Sequence, residues 1–325
     1  LMYQLPDTEN ERKLIVFSDS REDAAQIANG IERNHFTDLL REIVVDELHS
    51  SLILRHHIVE ALETGNTTTK NTLREHDPEL YDSVEDLYDK SSYTGANTTK
   101  IREKEEAQTK LSGYKFLMIN IRDLVHITNS LNLAPLVKKF AGLGINPGGN
   151  SVAIQERLLN GNYVPWYQII DFENEKWKSG AGEDFISAIR EGTYASLASM
   201  FFGTLFYSFE SSGLGYVSIN PEHHSISPSA VSVNLSREIF LQIINSCIRI
   251  LGDKYKHNKV EDADPFTFTS YGDLPELLRK YIKAVADRHG ISDVSLGDSV
   301  YHVLRAAGVL EIDTGIQLEQ LMVKI

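Results

Sequence analysis

Lys13-Leu14-Ile15-Val16-Phe17-Ser18-Asp19-Ser20-Arg21-Glu22-Asp23-Ala24-Ala25 is the stretch on which the fold reading turns. Lys13 to Phe17 is a short apolar run of the size of a buried strand. Ser20 suits a helix N-cap, and Glu22 and Asp23 favour the positive end of the helix that follows. Ala24, Ala25, Ile27, Ala28 and Ile31 then recur at helical spacing. Strand, tight turn and helix make half of an α/β repeat, which cannot close a parallel sheet alone. Residues 1–12 are polar and turn-rich and read as a linker.

Outward from that element the pattern is helical. Apolar residues from Leu39 to Leu62 recur at spacings of three, four and seven. Residues 64–72 (TGNTTTKNT) are predicted as a loop, and residues 89–100 (DKSSYTGANTTK) are similar in composition. A long helix is predicted over 101–131 and a short one over 134–141, ending at Gly142. A loop then carries Trp166, Tyr167, Phe172 and Trp177. Residues 182–209 read as a buried helix and Tyr216 to Ile219 as a strand. Asn234 or Ser236 can cap a helix through Leu251. Residues 257–270 are acidic and irregular. Pro275 starts a helix to Arg288, at the position that tolerates proline. Ser295 opens another to Ala307. Residues 309–312 and 321–325 read as two short strands, so this end is compatible with a winged helix. The expected fold is mainly α: a helical domain over 46–256 and a helical and hairpin segment over 257–325, preceded by the small α/β piece in 1–45.

The 325 residues carry 32 Lys and Arg against 46 Asp and Glu, a net charge of −14. Phosphate contacts need clustered cations, so this balance disfavours a free-standing nucleic-acid binder. One cysteine, Cys247, excludes an internal disulfide framework and a thiolate metal cluster. No run approaches the roughly 18 apolar residues of a membrane span. The start lacks a basic and apolar leader, and the expected compartment is the cytoplasm.

Several motifs invite chemistry. Gly142-Leu143-Gly144-Ile145-Asn146-Pro147-Gly148-Gly149 lacks the Gly-Lys-Ser/Thr of a phosphate loop and is read as a helix cap and turn. His56 and Glu60 are one helical turn apart, as metal ligands can be, with His49, His57, Asp46 and Glu47 close by. No second cluster completes the set, so an exposed polar face is expected and no metal. His223-His224 and His257 fail the same test. Cys247 lies among isoleucines and reads as core. Ser18 and Ser20 lack a nucleophile elbow. The aromatics from Phe201 to Phe209 lack interleaved cations and read as packing, not a base-stacking platform. Lys138-Lys139 and Arg279-Lys280 are too isolated for a phosphate track. At Ser18 to Arg21, hydroxyls, an arginine and free helix N–H groups meet at a strand's C-terminal end. That end suits a backbone phosphate, and it equally suits a capped helix with a surface arginine.

Leu14-Ile15-Val16-Phe17-Ser18-Asp19-Ser20-Arg21-Glu22-Asp23-Ala24-Ala25-Gln26-Ile27-Ala28 resembles the element that opens the second RecA-like domain of superfamily 2 helicases. It is most similar to the large DEAD/DEAH-type branch with a long insertion after this element, which includes bacterial phage-defence helicases. Further similar stretches are Leu143 to Gly149, Trp166-Tyr167 with Asp171-Phe172, Tyr207 to Gly215, Ile248 to Tyr255, and Leu274-Pro275 leading to Arg279-Lys280-Tyr281. The resemblance implies the start of a RecA-like domain in 1–45 and a helical insertion after it. The insertion would shape the path of a nucleic acid, DNA by that kinship, or dock a partner subunit. Ser18, Ser20 and Arg21 would then contact the nucleic-acid backbone. No Walker A motif, DEAH box or arginine-finger motif is present, so an interior fragment without ATPase activity is expected. ATP and Mg would belong to the whole enzyme and zinc to a segment downstream. The rival expectation is a free-standing, non-enzymatic helical module that binds protein.

Overall fold

Gly65 ends one helix and Asn66 starts the next, in a segment whose composition predicts a loop. The structure, a computed structural model, describes residues 36–127, 131–149, 165–178, 180–203, 209–220, 235–255, 268–312 and 315–325. The strand-turn-helix expected at 13–31, with Ser18, Ser20 and Arg21, lies outside them. The chain divides into Leu1–Leu40 and Arg41–Ile325. The second unit is described below.

Residues 41–46 are helical (α1) and lead into a π-helical stretch, Glu47–Leu52. Helices α2 (Ile53–Thr64), α3 (Thr67–His76), α4 (Pro78–Ser91) and α5 (Thr98–Lys115) follow. Asn66 Oδ1 accepts from Thr69 N at 3.2 Å, Asp77 Oδ1 from Leu80 N at 3.0 Å, and Asn97 Oδ1 from Thr99 N at 3.0 Å. Each side chain satisfies a helix-end N–H that would otherwise lack a partner. The loop reading of 64–72 is therefore corrected, because the Asn66 cap starts a helix at Thr67, whereas in 89–100 the loop forms over residues 92–97 between α4 and α5. Helices α4 and α5 form a hairpin, and α2 packs against both. Their shared core holds Ile58, Val59, Tyr81, Val84, Ala107 and Leu111.

The helix predicted over 101–131 ends at Lys115. Leu117, at φ 54°, turns the chain into β1 (Met118–Asn120), and a short α6 (Ile121–Val125) follows. The cause is tertiary. β7 (Met322–Lys324) is the centre of a three-stranded antiparallel sheet, between β1 and β4 (Tyr216–Ser218). Met118 faces Lys324 on one side and Tyr216 faces it on the other. An apolar run such as Met118 to Ile121 suits strand and helix alike until a partner strand decides.

Helix α7 (Pro135–Gly142), the two-residue strands β2 (Ile170–Asp171) and β3 (Lys176–Trp177), and α8 (Glu183–Phe202) enclose a second core. It contains Val137, Ile170, Trp177, Phe185 and Ile189. Helix α9 (Arg237–Tyr255) lies on β4, where Ser218 Oγ donates to Asn245 Oδ1 at 2.7 Å inside the protein. Helices α10 (Glu276–His289) and α11 (Asp293–Ala306) pack on each other, with α10 against α9. Both strands expected near the end form, but they do not pair with each other. β5 (Leu310–Glu311) pairs with β6 (Gly315–Ile316), and the final strand joins the central sheet instead. The described protein is mainly helical with small antiparallel sheets. Among the described residues no helix is long and apolar enough to cross a membrane.

Candidate functional site

The glycine-rich loop after α7 uses its own amides. Gly144 N donates to Ala141 O at 2.9 Å, Ile145 N to Phe140 O at 3.0 Å, and Gly148 N to Asn146 Oδ1 at 3.0 Å. Amides engaged in this way cannot cradle a phosphate. The loop is instead a joint. The buried Thr193 hydroxyl lies 2.8 Å from Pro147 O, and a Cβ on Gly192 would stand 2.4 Å from Gly148 O. Helix and loop approach that closely only because Gly192 has no side chain.

Other segments singled out in the sequence make surface or local contacts. Arg249 on α9 pairs in bidentate fashion with Glu210, its Nε donating to Oε2 at 2.8 Å. Arg279 on α10 donates from Nε to Leu274 O at 2.9 Å, holding the turn before its own helix. Trp166 meets Phe172 edge-on at 6.4 Å.

The basic pairs are occupied. Lys138 pairs with Glu175, and Lys139 with Asp46 and Glu47. Glu47 is buried, and its two oxygens face Arg55 and Lys139, each at 3.3 Å. A buried carboxylate needs such partners, and the π-helical stretch aims it at both. Lys280 pairs with Glu276. Phe201 and Phe209 pack edge to face at 5.2 Å within the protein. Cys247 is buried, and burial pushes its thiol far up, so the nucleophilic thiolate is suppressed.

Two groupings emerge from the tertiary structure. At the contact of α6 with α8 stand Arg122, His126 and Arg190. Neither guanidinium has an ion pair with a described residue. Burial, then Arg190 and Arg122, push the His126 imidazole pKa down; Asp123 and Glu183 oppose them more weakly. His126 Nδ1 is buried without a hydrogen-bond partner, which suits a neutral ring. Burial likewise pushes Glu319 up, against the pull of Arg122. Nothing in the sequence spacing joins these residues, since α6, α8 and the turn Leu318–Gln320 come from three distant segments.

The second grouping is on α2. His56 Nε2 and His57 Nδ1 each lie 3.6 Å from a Glu60 oxygen. The sequence pairs His56 with Glu60; the structure adds His57 and places the three ligand atoms within 4.8 Å of one another. Comparison with protein-family profiles, with curated proteins and with solved structures finds no match.

Proposed function

We propose that this chain is part of an ATP-dependent nucleic-acid helicase or translocase acting on DNA, and that its helical unit is a scaffold. In this reading residues 1–45 begin a RecA-like domain, and Ser18, Ser20 and Arg21 touch the nucleic-acid backbone. The helical unit shapes the path of the strand or docks a partner subunit. One observation supports the reading most: Leu143 to Gly149, one of the stretches that resemble the helicase branch, forms a close joint with α8. The buried Thr193 hydroxyl lies 2.8 Å from Pro147 O there, whereas the Arg249–Glu210 pair lies at the surface. Residues at joints are those a shared architecture would require, whereas surface residues could match by composition alone. The charge of −14 supports docking by most of the surface.

Two measurements test it. Residues 1–325 alone are expected to show no ATP turnover, because phosphoryl transfer needs a phosphate loop and a metal-binding carboxylate that this sequence lacks; robust turnover refutes the reading. The open reading frame around residues 1 and 325 is expected to continue upstream into a Walker motif. Arg21→Glu in that longer protein should then weaken single-strand binding, and unchanged affinity removes Arg21 from the contact. A start codon at Met2 with no such motif would favour the non-enzymatic interaction module.

A further inference from the structure

We propose that His56, His57 and Glu60 form a binding site for one divalent transition-metal ion of the zinc class. The ligands would be His56 Nε2, His57 Nδ1 and one Glu60 oxygen, with a fourth position open to water. This inference goes beyond the helicase reading and does not depend on it.

The geometry begins with the helix. Residues three and four apart on α2 are neighbours, so Glu60 reaches both His57 and His56. Tetrahedral zinc with bonds of about 2.0–2.1 Å holds its ligand atoms roughly 3.3–3.5 Å apart. His56 Nε2 is 3.6 Å from Glu60 Oε1 and His57 Nδ1 is 3.6 Å from Oε2, and one ligand atom from each of the three residues falls within 4.8 Å of the others. Small side-chain rotations would close the set.

The second observation concerns the tautomer. His56 Nδ1 lies 3.2 Å from Tyr114 O, on a different helix. A carbonyl oxygen only accepts, so Nδ1 carries the proton and donates. In the neutral ring the lone pair is then on Nε2, the atom that faces Glu60. Metal-bound histidines characteristically donate their other N–H to a carbonyl or carboxylate, which fixes the ring and raises its basicity. His56 is thus the oriented ligand, its side chain 21% exposed, whereas His57 and Glu60 are 55% and 58% exposed. The neighbouring cations are engaged elsewhere. Arg55 pairs with Glu47 and lies over the Tyr114 ring, and Lys115 pairs with Glu63 at 3.0 Å. Two imidazoles and one carboxylate with an open position match the donor set of three-ligand zinc sites, and imidazole also suits nickel and copper.

The test uses the chain stripped of metal and titrated with Co²⁺, then with Zn²⁺. One equivalent of Co²⁺ should bind with the visible absorption of a four- or five-coordinate ion, and Zn²⁺ should displace it. His57→Ala and Glu60→Gln, both at exposed positions, should each weaken binding by at least about tenfold while the circular dichroism stays unchanged. ¹⁵N-labelled imidazole spectra of the parent should show His56 protonated at Nδ1, with its Nε2 resonance moving on Zn²⁺ addition. The absence of a bound equivalent overturns the proposal. So does binding that survives in both variants, which would assign it to other histidines. An Nε2-protonated His56 overturns it too.

Discussion

The α3–α5 arm and the sheet-centred body are held by different forces. Helix α3 buries no residue, and α5 buries four of its eighteen. Their surfaces carry pairs such as Arg74–Asp82 at 2.6 Å and Arg102–Glu106 at 3.3 Å. Exposed pairs of this kind are screened by solvent and add little to stability. Helix α9 in the body buries nine of its nineteen residues, among them Phe240, Ile244, Ile248 and Leu251 at 0% exposure. A fully buried side chain of that size contributes about 1.5–3 kcal/mol. The arm is therefore stabilised by caps and by one apolar face, and the body by burial. A chain with this division should lose its arm first when destabilised.

The largest effect is expected in the body. Phe240→Ala leaves a cavity beneath α9 and should cost about 3–5 kcal/mol, read as a fall in the urea midpoint with unchanged slope. A loss under 1 kcal/mol would mean that α9 is not the core described above. Next comes the joint. Gly192→Ala pushes a Cβ against Gly148 O, and this backbone atom cannot rotate away. A destabilisation of about 1–3 kcal/mol is expected in thermal melts, and a neutral result would show the joint to be loose.

The arm should respond more mildly. Asn97→Ala removes the acceptor for Thr99 N and Lys100 N and should cost about 1 kcal/mol. Hydrogen exchange should show faster opening confined to α5 and its partner α4. Opening spread evenly over α9 would erase the distinction between arm and body.

The smallest effect is a slope with pH. His126 has a pKa depressed below its ordinary 6.5, so the unfolded chain takes up its proton first. The contribution of the neutral ring is fully present above 6.5 and is lost progressively as pH falls from there through the lower folded pKa. The groups around it are Arg190, Arg122, Asp123 and Glu183. His126→Asn should flatten the loss of stability between pH 7.5 and 5.5 in parallel denaturation series. A slope unchanged by the substitution would assign that dependence to other groups.

Much of the helical order was legible in the residues. The starts at Pro135 and near Pro275, and the caps Ser236 and Ser292, follow from local chemistry, although Ser295 is the serine the sequence reading favours for the last helix. The polar stretch 67–76 was not legible, because it has no apolar face. Its cap at Asn66 and its position between α2 and α4 make it a helix. The break at Lys115 was not legible either, since the partner of Met118 to Asn120 lies at the far end of the chain. Of the α2 cluster, the one-turn spacing of His56 and Glu60 was visible. The Tyr114 carbonyl that orients His56 was not, because a backbone oxygen carries no sequence signal.

The sequence by itself determined an acidic, mainly helical protein with one buried cysteine, because composition, caps and the 3.6-residue period act locally. Only the tertiary structure decided which apolar runs became strands and which ion pairs closed. It alone brought Arg122, His126 and Arg190 together, and His56 to Tyr114. Those outcomes depend on partners far apart in the chain, and a partner's position is a property of the packed molecule.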